Sequence, residues 1–136
     1  MKSDINIAVD VDTGDISQSD ILISCRRFLE GSSSSLILCG DSDIINKNID
    51  DWGRLKDQVQ VIHANESLTM DMSPSHALRR LKSSSMHHCL RLVKEGKAHA
   101  AVSAGNTGAL VAIATFSLGY FQSVRRPAIC TQLPTR

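Results

Sequence analysis

Short apolar runs of strand length alternate along this chain with longer segments whose apolar residues recur at helical spacing, and that alternation admits few folds. Strands separated by helices do not pair as hairpins; each crossover carries the chain back to the same end of the sheet, so the strands lie parallel. The runs predict strands at Ile5 to Val11, Leu36 to Gly40, Val59 to Ala64, His99 to Ser103 and Ala128 to Leu133. Right-handed crossovers then place helices on both faces, giving an α/β, doubly wound, mostly parallel sheet whose ligands collect at the carboxyl ends of the strands. The 136 residues read as a single domain. A chain of that size buries about 65 to 70% of its unfolded surface in one core.

The helices carry their own punctuation. Ile21, Leu22, Cys25, Phe28 and Leu29 form an apolar face opposite Arg26, Arg27 and Glu30, and Gly31 ends that helix. Ser73 and Pro74 suit an N-cap and first helical position, predicting a short helix to about Leu81. The triplet Ser83 to Ser85 offers another cap, before a helix with Met86, Cys89, Leu90 and Val93 on its apolar face and Gly96 at its end.

Several classes of function are disfavoured. A net charge of +1 and only five aromatic residues give neither a basic field nor a stacking platform, which speaks against nucleic acid. The acidic N-terminus MKSDINIAVDVD lacks the apolar run of a signal peptide, and the four cysteines sit among apolar neighbours without CxxC spacing, so buried thiols in a cytoplasmic protein are expected. Residues 98–124 contain no Asp, Glu, Lys or Arg, but a polar loop splits them; the remaining run, Ala109 to Phe121, has the length of a buried core helix rather than of a membrane span.

That polar loop is the most informative stretch. In AVSAGNTGAL, Ala101 to Leu110, a strand ends, small polar residues follow and a helix begins. Helix N-termini present unpaired N–H groups and partial positive charge, so small residues there let an anion approach the amides. Gly105 and Gly108 permit that approach, while Ser103, Asn106 and Thr107 offer side-chain donors. An ordinary tight turn with Asn or Thr as the cap accounts for the same residues equally well, and the run matches neither GxGxxG nor the Walker loop.

Other clusters are weaker alone. Arg79, Arg80 and Lys82 precede the serine-capped helix, suiting a dianion or simply a solvated face. Asp10, Asp12 and Asp15 gather where the first strand ends, able to orient a lysine, hold a cation or form an acidic turn. His87, His88 and Cys89 are adjacent helical positions that diverge by about 100 degrees, so no metal is implied. His63, at a strand end, is a candidate acid or base beside its plainer reading as a structural histidine.

Together the runs IAVDVDTGD, LCGDSDII, VIHANESLTMDMSPSHALRRLKSSSM, LVKEGKAHAAVSAGNTGAL and RRPAICTQLPT resemble the phosphate acyltransferase (acyl-ACP:phosphate transacylase) family of bacterial phospholipid synthesis. VSAGNTGAL is the most specific of them. The resemblance implies transfer of a fatty acyl group from acyl carrier protein to inorganic phosphate, without a cofactor, on a fold like that of the isocitrate and isopropylmalate dehydrogenases. It also implies a homodimer for full-length members, with peripheral membrane association through regions absent here. Such members are more than twice this long, so residues 1–136 correspond to an N-terminal portion. DVDTGD departs from the family's DAMGGD-like run at Asp12 and Thr13.

On that resemblance, Ser103, Asn106, Thr107 and the amides of Gly105 and Gly108 are expected to hold phosphate. Ser84 and Ser85 add donors, Lys82 and Arg79 offset charge, and Asp10 and Asp15 stand elsewhere in the cleft. Asn106 or Lys82 would serve the oxyanion, a role whose loss commonly costs about 2.7 to 4 kcal/mol of barrier. His63 is the candidate proton donor. The alternatives are a phosphotransacetylase-like transfer from CoA, and an inactive domain that binds acyl carrier protein or a partner.

Overall fold

In a computed structural model, which describes residues 5–12, 14–130 and 132, four parallel strands form one sheet. They are β1 (Asn6–Asp10), β2 (Ser35–Gly40), β3 (Val59–His63) and β4 (Ala100–Val102), in the spatial order β3-β2-β1-β4. Five α-helices accompany them: α1 (Gln18–Glu30), α2 (Ser42–Ile49), α3 (Pro74–Arg80), α4 (Ser85–Lys94) and α5 (Thr107–Leu118). The sequence-predicted strands are found within two residues at each end, except the fifth. Ala128, Ile129 and Cys130 are exposed and in no strand, while Thr131 and Leu133 lie outside the described residues.

Strand periodicity divides the core. Val9, Leu36 and Leu38 point to one face, where Leu22, Leu29, Ile45, Ile49 and Trp52 cover them. Ala8, Ile37 and Cys39 point to the other, against Cys89, Leu92 and Ala98. A third cluster, with Leu68, Ala77, Met86, Leu90, Ala109 and Ile113, joins α3, α4 and α5.

The capping signals at Ser73 and in the Ser83 to Ser85 triplet hold, and Ser17 is a further cap that the sequence reading did not mark. Ser17 accepts the Asp20 N–H at 3.1 Å, and Ser73 and Ser84 cap α3 and α4 in the same way. Gly96, at φ 70°, closes α4: its N–H donates to Val93 O, and that of Lys97 reaches Leu92 O at 2.9 Å. The helix α2 escaped the sequence reading because only Ile45 and Ile49 are buried in it; Asp41 fixes its start by accepting the N–H groups of Asp43 and Ile44.

Two expectations are corrected. The helix α5 is not a core helix: among its residues only Ala109 and Ile113 are fully buried, an i, i+4 stripe packed on α3 and α4, while Phe116 is 78% exposed. No described helix is long and apolar enough to cross a membrane. Of the four cysteines, Cys25, Cys39 and Cys89 are buried, but Cys130 is exposed. Burial pushes the Cys25 thiol up to about 11. A maleimide at neutral pH is therefore expected to label Cys130 rapidly and the other three only on unfolding, as mass spectrometry will read; rapid labelling of Cys25 would contradict this core.

Candidate active site at the sheet switch point

The chain winds outward from β1 through β2 to β3, then returns to place β4 on the other side of β1. The crevice beyond the ends of β1 and β4 is thus the point where winding reverses, the usual seat of a ligand in open α/β sheets. Asp10 ends β1 and Ser103 follows β4, one step past the Val9–Val102 pair.

These residues meet there. Ser103 Oγ donates to Asp10 Oδ2 at 2.6 Å, Ser85 Oγ donates to Asp10 Oδ1 at 2.5 Å, and the Gly105 N–H donates to Ser103 Oγ at 3.1 Å. Ser84 is equally occupied, through His87 Nδ1 at 2.9 Å and the His87 N–H at 3.3 Å. The three serines therefore spend their hydroxyls inside the protein.

Asn106 is the most heavily bonded residue of the loop. Its Oδ1 accepts the Ala109 N–H at 2.9 Å, capping α5, and its Nδ2 donates to the carbonyls of Thr69, Met70 and Met72 at 3.3, 3.0 and 2.9 Å. Both ends of the amide are committed to holding the 69–72 segment on the N-terminus of α5. Those carbonyls come from a stretch with no periodic pattern, so no sequence signal marked them.

Backbone donors remain. The first intrahelical bond of α5 is Leu110 N–H to Asn106 O, so the amides of Thr107 and Gly108 precede it, and both residues are exposed. A side chain at Gly108 would be tightly crowded: a Cβ there would stand 3.0 Å from Pro74 Cγ and 3.4 Å from Asn106 Oδ1. Gly14 seals the same region, since its φ is 90° and a Cβ would come 3.2 Å from Leu68 O; the neighbouring Asp15 is exposed.

The remaining candidates are dispersed. Arg79 and Lys82 are exposed, at the end of α3 and in the turn into α4. His63 ends β3, three strands from β4 and so about 14 Å across the sheet. There its Nδ1 accepts the Ser42 N–H at 3.2 Å. An apolar groove of about 370 Å³ opens beside Asp10 and Ala104 and runs along α1, past Ile16, Phe28 and Val102. Phe28, expected in the core, is 44% exposed because it faces this groove beside β4, beyond which no described strand pairs.

His87 reports on the packing of α4. Burial holds its imidazole below the ordinary 6.5, Glu66 opposes, and His88, Arg91 and Lys82 add to the depression; Nε2 is buried without a partner among the described residues. A depressed base contributes stability above its unfolded value that is lost as pH falls toward the folded one. Melting temperature is expected to drop between about pH 7.5 and about pH 5.5, and less steeply in His87→Gln, with the remainder belonging to His88. Identical slopes would place the titration elsewhere.

A parallel four-stranded sheet flanked by helices, with a small-residue loop at its switch point, defines an α/β protein, and among the described residues the Thr107 and Gly108 amides make no hydrogen bond. Residues 5–136 match the family model described as "Fatty acid synthesis protein", and the chain belongs to that family. Relatives named phosphate acyltransferase are 44% identical in Legionella pneumophila (strain Paris) and in Acidovorax sp. (strain JS42), and 39% identical in Dichelobacter nodosus. The alignments cover 96, 96 and 100% of this chain but 39, 36 and 41% of those relatives. The chain thus spans about two fifths of the length of the curated relatives it matches.

Proposed function

We propose that this chain carries the phosphate-binding part of a site that transfers a fatty acyl group from acyl carrier protein to inorganic phosphate in the cytoplasm. The observation that carries the reading is the pair of first-turn amides that precede the first bond of α5, on the exposed residues Thr107 and Gly108, at the switch point of a chain in this family. In this reading they hold the phosphate together with the Thr107 hydroxyl.

Phosphate is itself the nucleophile. One of its oxygens attacks the thioester carbonyl, a tetrahedral oxyanion forms, and its collapse forms the acyl phosphate and expels the thiolate, which needs little protonation to leave. Asn106 spends its amide on three carbonyls and so shapes the loop, while Lys82 faces Phe116 and Ser117 at the far end of α5, so neither is the oxyanion donor in this scheme. Asp10, Ser84, Ser85 and Ser103 act behind it through the bonds they make with one another and with the helix ends. The 370 Å³ groove offers the acyl chain an apolar bed that opens at the same place.

The test is formation of acyl phosphate from acyl carrier protein thioesters, trapped as hydroxamate, with CoA thioesters run beside them. Product from the carrier protein supports the reading, and product from CoA alone gives the phosphotransacetylase alternative. No product, with retention of acyl carrier protein on the immobilised chain, gives an inactive binding domain, a reading favoured by the exposed Phe116 and Leu118 of α5.

A further inference from the structure

Asp10 lies at the end of β1 with 2% of its surface exposed, and among the described residues no Lys, Arg or His pairs with it. A carboxylate at that depth is costly unless other groups carry its charge. Ser85 and Ser103 do so from two directions, one hydroxyl on each oxygen. Ser85 is the first residue of α4, whose N-terminal partial charge adds to the compensation. Ser103 begins the turn into α5 and in turn accepts the Gly105 N–H. One continuous chain of bonds, from Gly105 through Ser103 and Asp10 to Ser85, links the turn before α5 to the start of α4.

We propose that Asp10 is a positioning residue of the anion site: it braces the β4–α5 turn against the N-terminus of α4 and so aims the Thr107 and Gly108 amides at a phosphate dianion. This rests on the phosphate reading given above. The carboxylate does not touch the anion, which it would repel; it acts through the two hydroxyls that turn their protons inward to it. The sequence alone left Asp10 free to orient a lysine, hold a cation or form an acidic turn, and the observed partners are two serines and the Asp12 backbone N–H.

The brace has a thermodynamic signature. Burial raises the Asp10 carboxyl above its ordinary value, the two seryl bonds only partly opposing it. The stability tied to a raised acid is fully present below its unfolded value and lost as pH rises through the folded one, so near neutral pH the ionised group burdens the fold. Burdens of that kind persist where a site needs them.

The experiment titrates inorganic phosphate into the full chain and its Asp10→Asn, Ser103→Ala and doubly substituted variants, and follows amide hydrogen exchange in the same samples. Asp10→Asn is expected to weaken phosphate binding about tenfold or more while its melting temperature stays level or rises. Exchange at residues 103–110 should quicken with β1 and β2 unchanged. The double variant should bind no more weakly than the weaker single one, since both substitutions break one chain of bonds. Unchanged affinity and exchange in both single variants overturn the proposal, as does multiplication of their effects or a lowered melting temperature with exchange quickened throughout. If the unaltered chain binds no phosphate, the phosphate reading fails by itself, and exchange at 103–110 still decides whether the brace exists. Should Asp10→Asn fail to fold, Ser103→Ala, half-buried at the turn, carries the same test.

Discussion

Asn106→Ala is expected to lower stability by about 2 to 4 kcal/mol, a drop in melting temperature of roughly 10 °C. The substitution removes the cap on Ala109 N–H and the three bonds from Nδ2 to Thr69, Met70 and Met72. A lost cap alone costs about 1 kcal/mol; carbonyls left without their donor add to it. Asn106→Asp separates the two contributions, because it keeps the capping oxygen but turns a carboxylate toward three carbonyl oxygens. Its loss should fall on the 69–72 segment, seen as proteolytic nicking there before any change at α5. Thermal melts and limited proteolysis read both effects. An alanine variant that melts with the unaltered chain would show that the amide does not hold this loop.

Gly108→Ala should also be costly, against local preference. In a helix interior alanine is favoured over glycine by about 1 kcal/mol. Here the new Cβ would stand 3.0 Å from Pro74 Cγ, and that ring, fixed as the first residue of α3, cannot swing away. Overpacking of this kind costs about 1 to 3 kcal/mol, so the clash outweighs the propensity and α3 is pushed from α5. The same methyl crowds the amides offered to the anion, so phosphate affinity should fall at least about tenfold, a change worth 1.4 kcal/mol. Gly31→Ala is the control: a Cβ there meets nothing within 4 Å, and neither stability nor phosphate binding should move appreciably. Equal behaviour of the two variants would contradict the close approach of α3 and α5.

Much of this fold was legible because its strands are continuous apolar runs and three of its five helices begin with serine caps. Ser17, Ser73 and Ser84 cap their helices. Of the strand expected at 128–133 the described residues Ala128, Ile129 and Cys130 are in none: an apolar run has β-like composition there but no described neighbour to pair with. Pairing is a tertiary event, and composition alone does not supply a partner.

The site was legible as a place more than as a set of roles. AVSAGNTGAL marked the strand-to-helix turn, and the structure sets it at the switch point beside Asp10. Which donors stay available was hidden, because a hydroxyl or amide in the sequence carries no record of what occupies it. Asn106 is bound to a segment some 34 to 37 residues earlier, and Ser85 to a carboxylate 75 residues away. Such long-range bonds leave no periodicity. Family resemblance located the loop; the bonding pattern distinguishes residues that shape it from amides that can meet a ligand.

The central claim is that the Thr107 and Gly108 N–H groups bind phosphate. Titration of inorganic phosphate into the isotope-labelled chain, followed by amide NMR, tests it most directly. Saturable shifts concentrated at Thr107 and Gly108, lost in Gly108→Ala, are the predicted result. Shifts spread over exposed lysines and arginines with those two amides unmoved would contradict it.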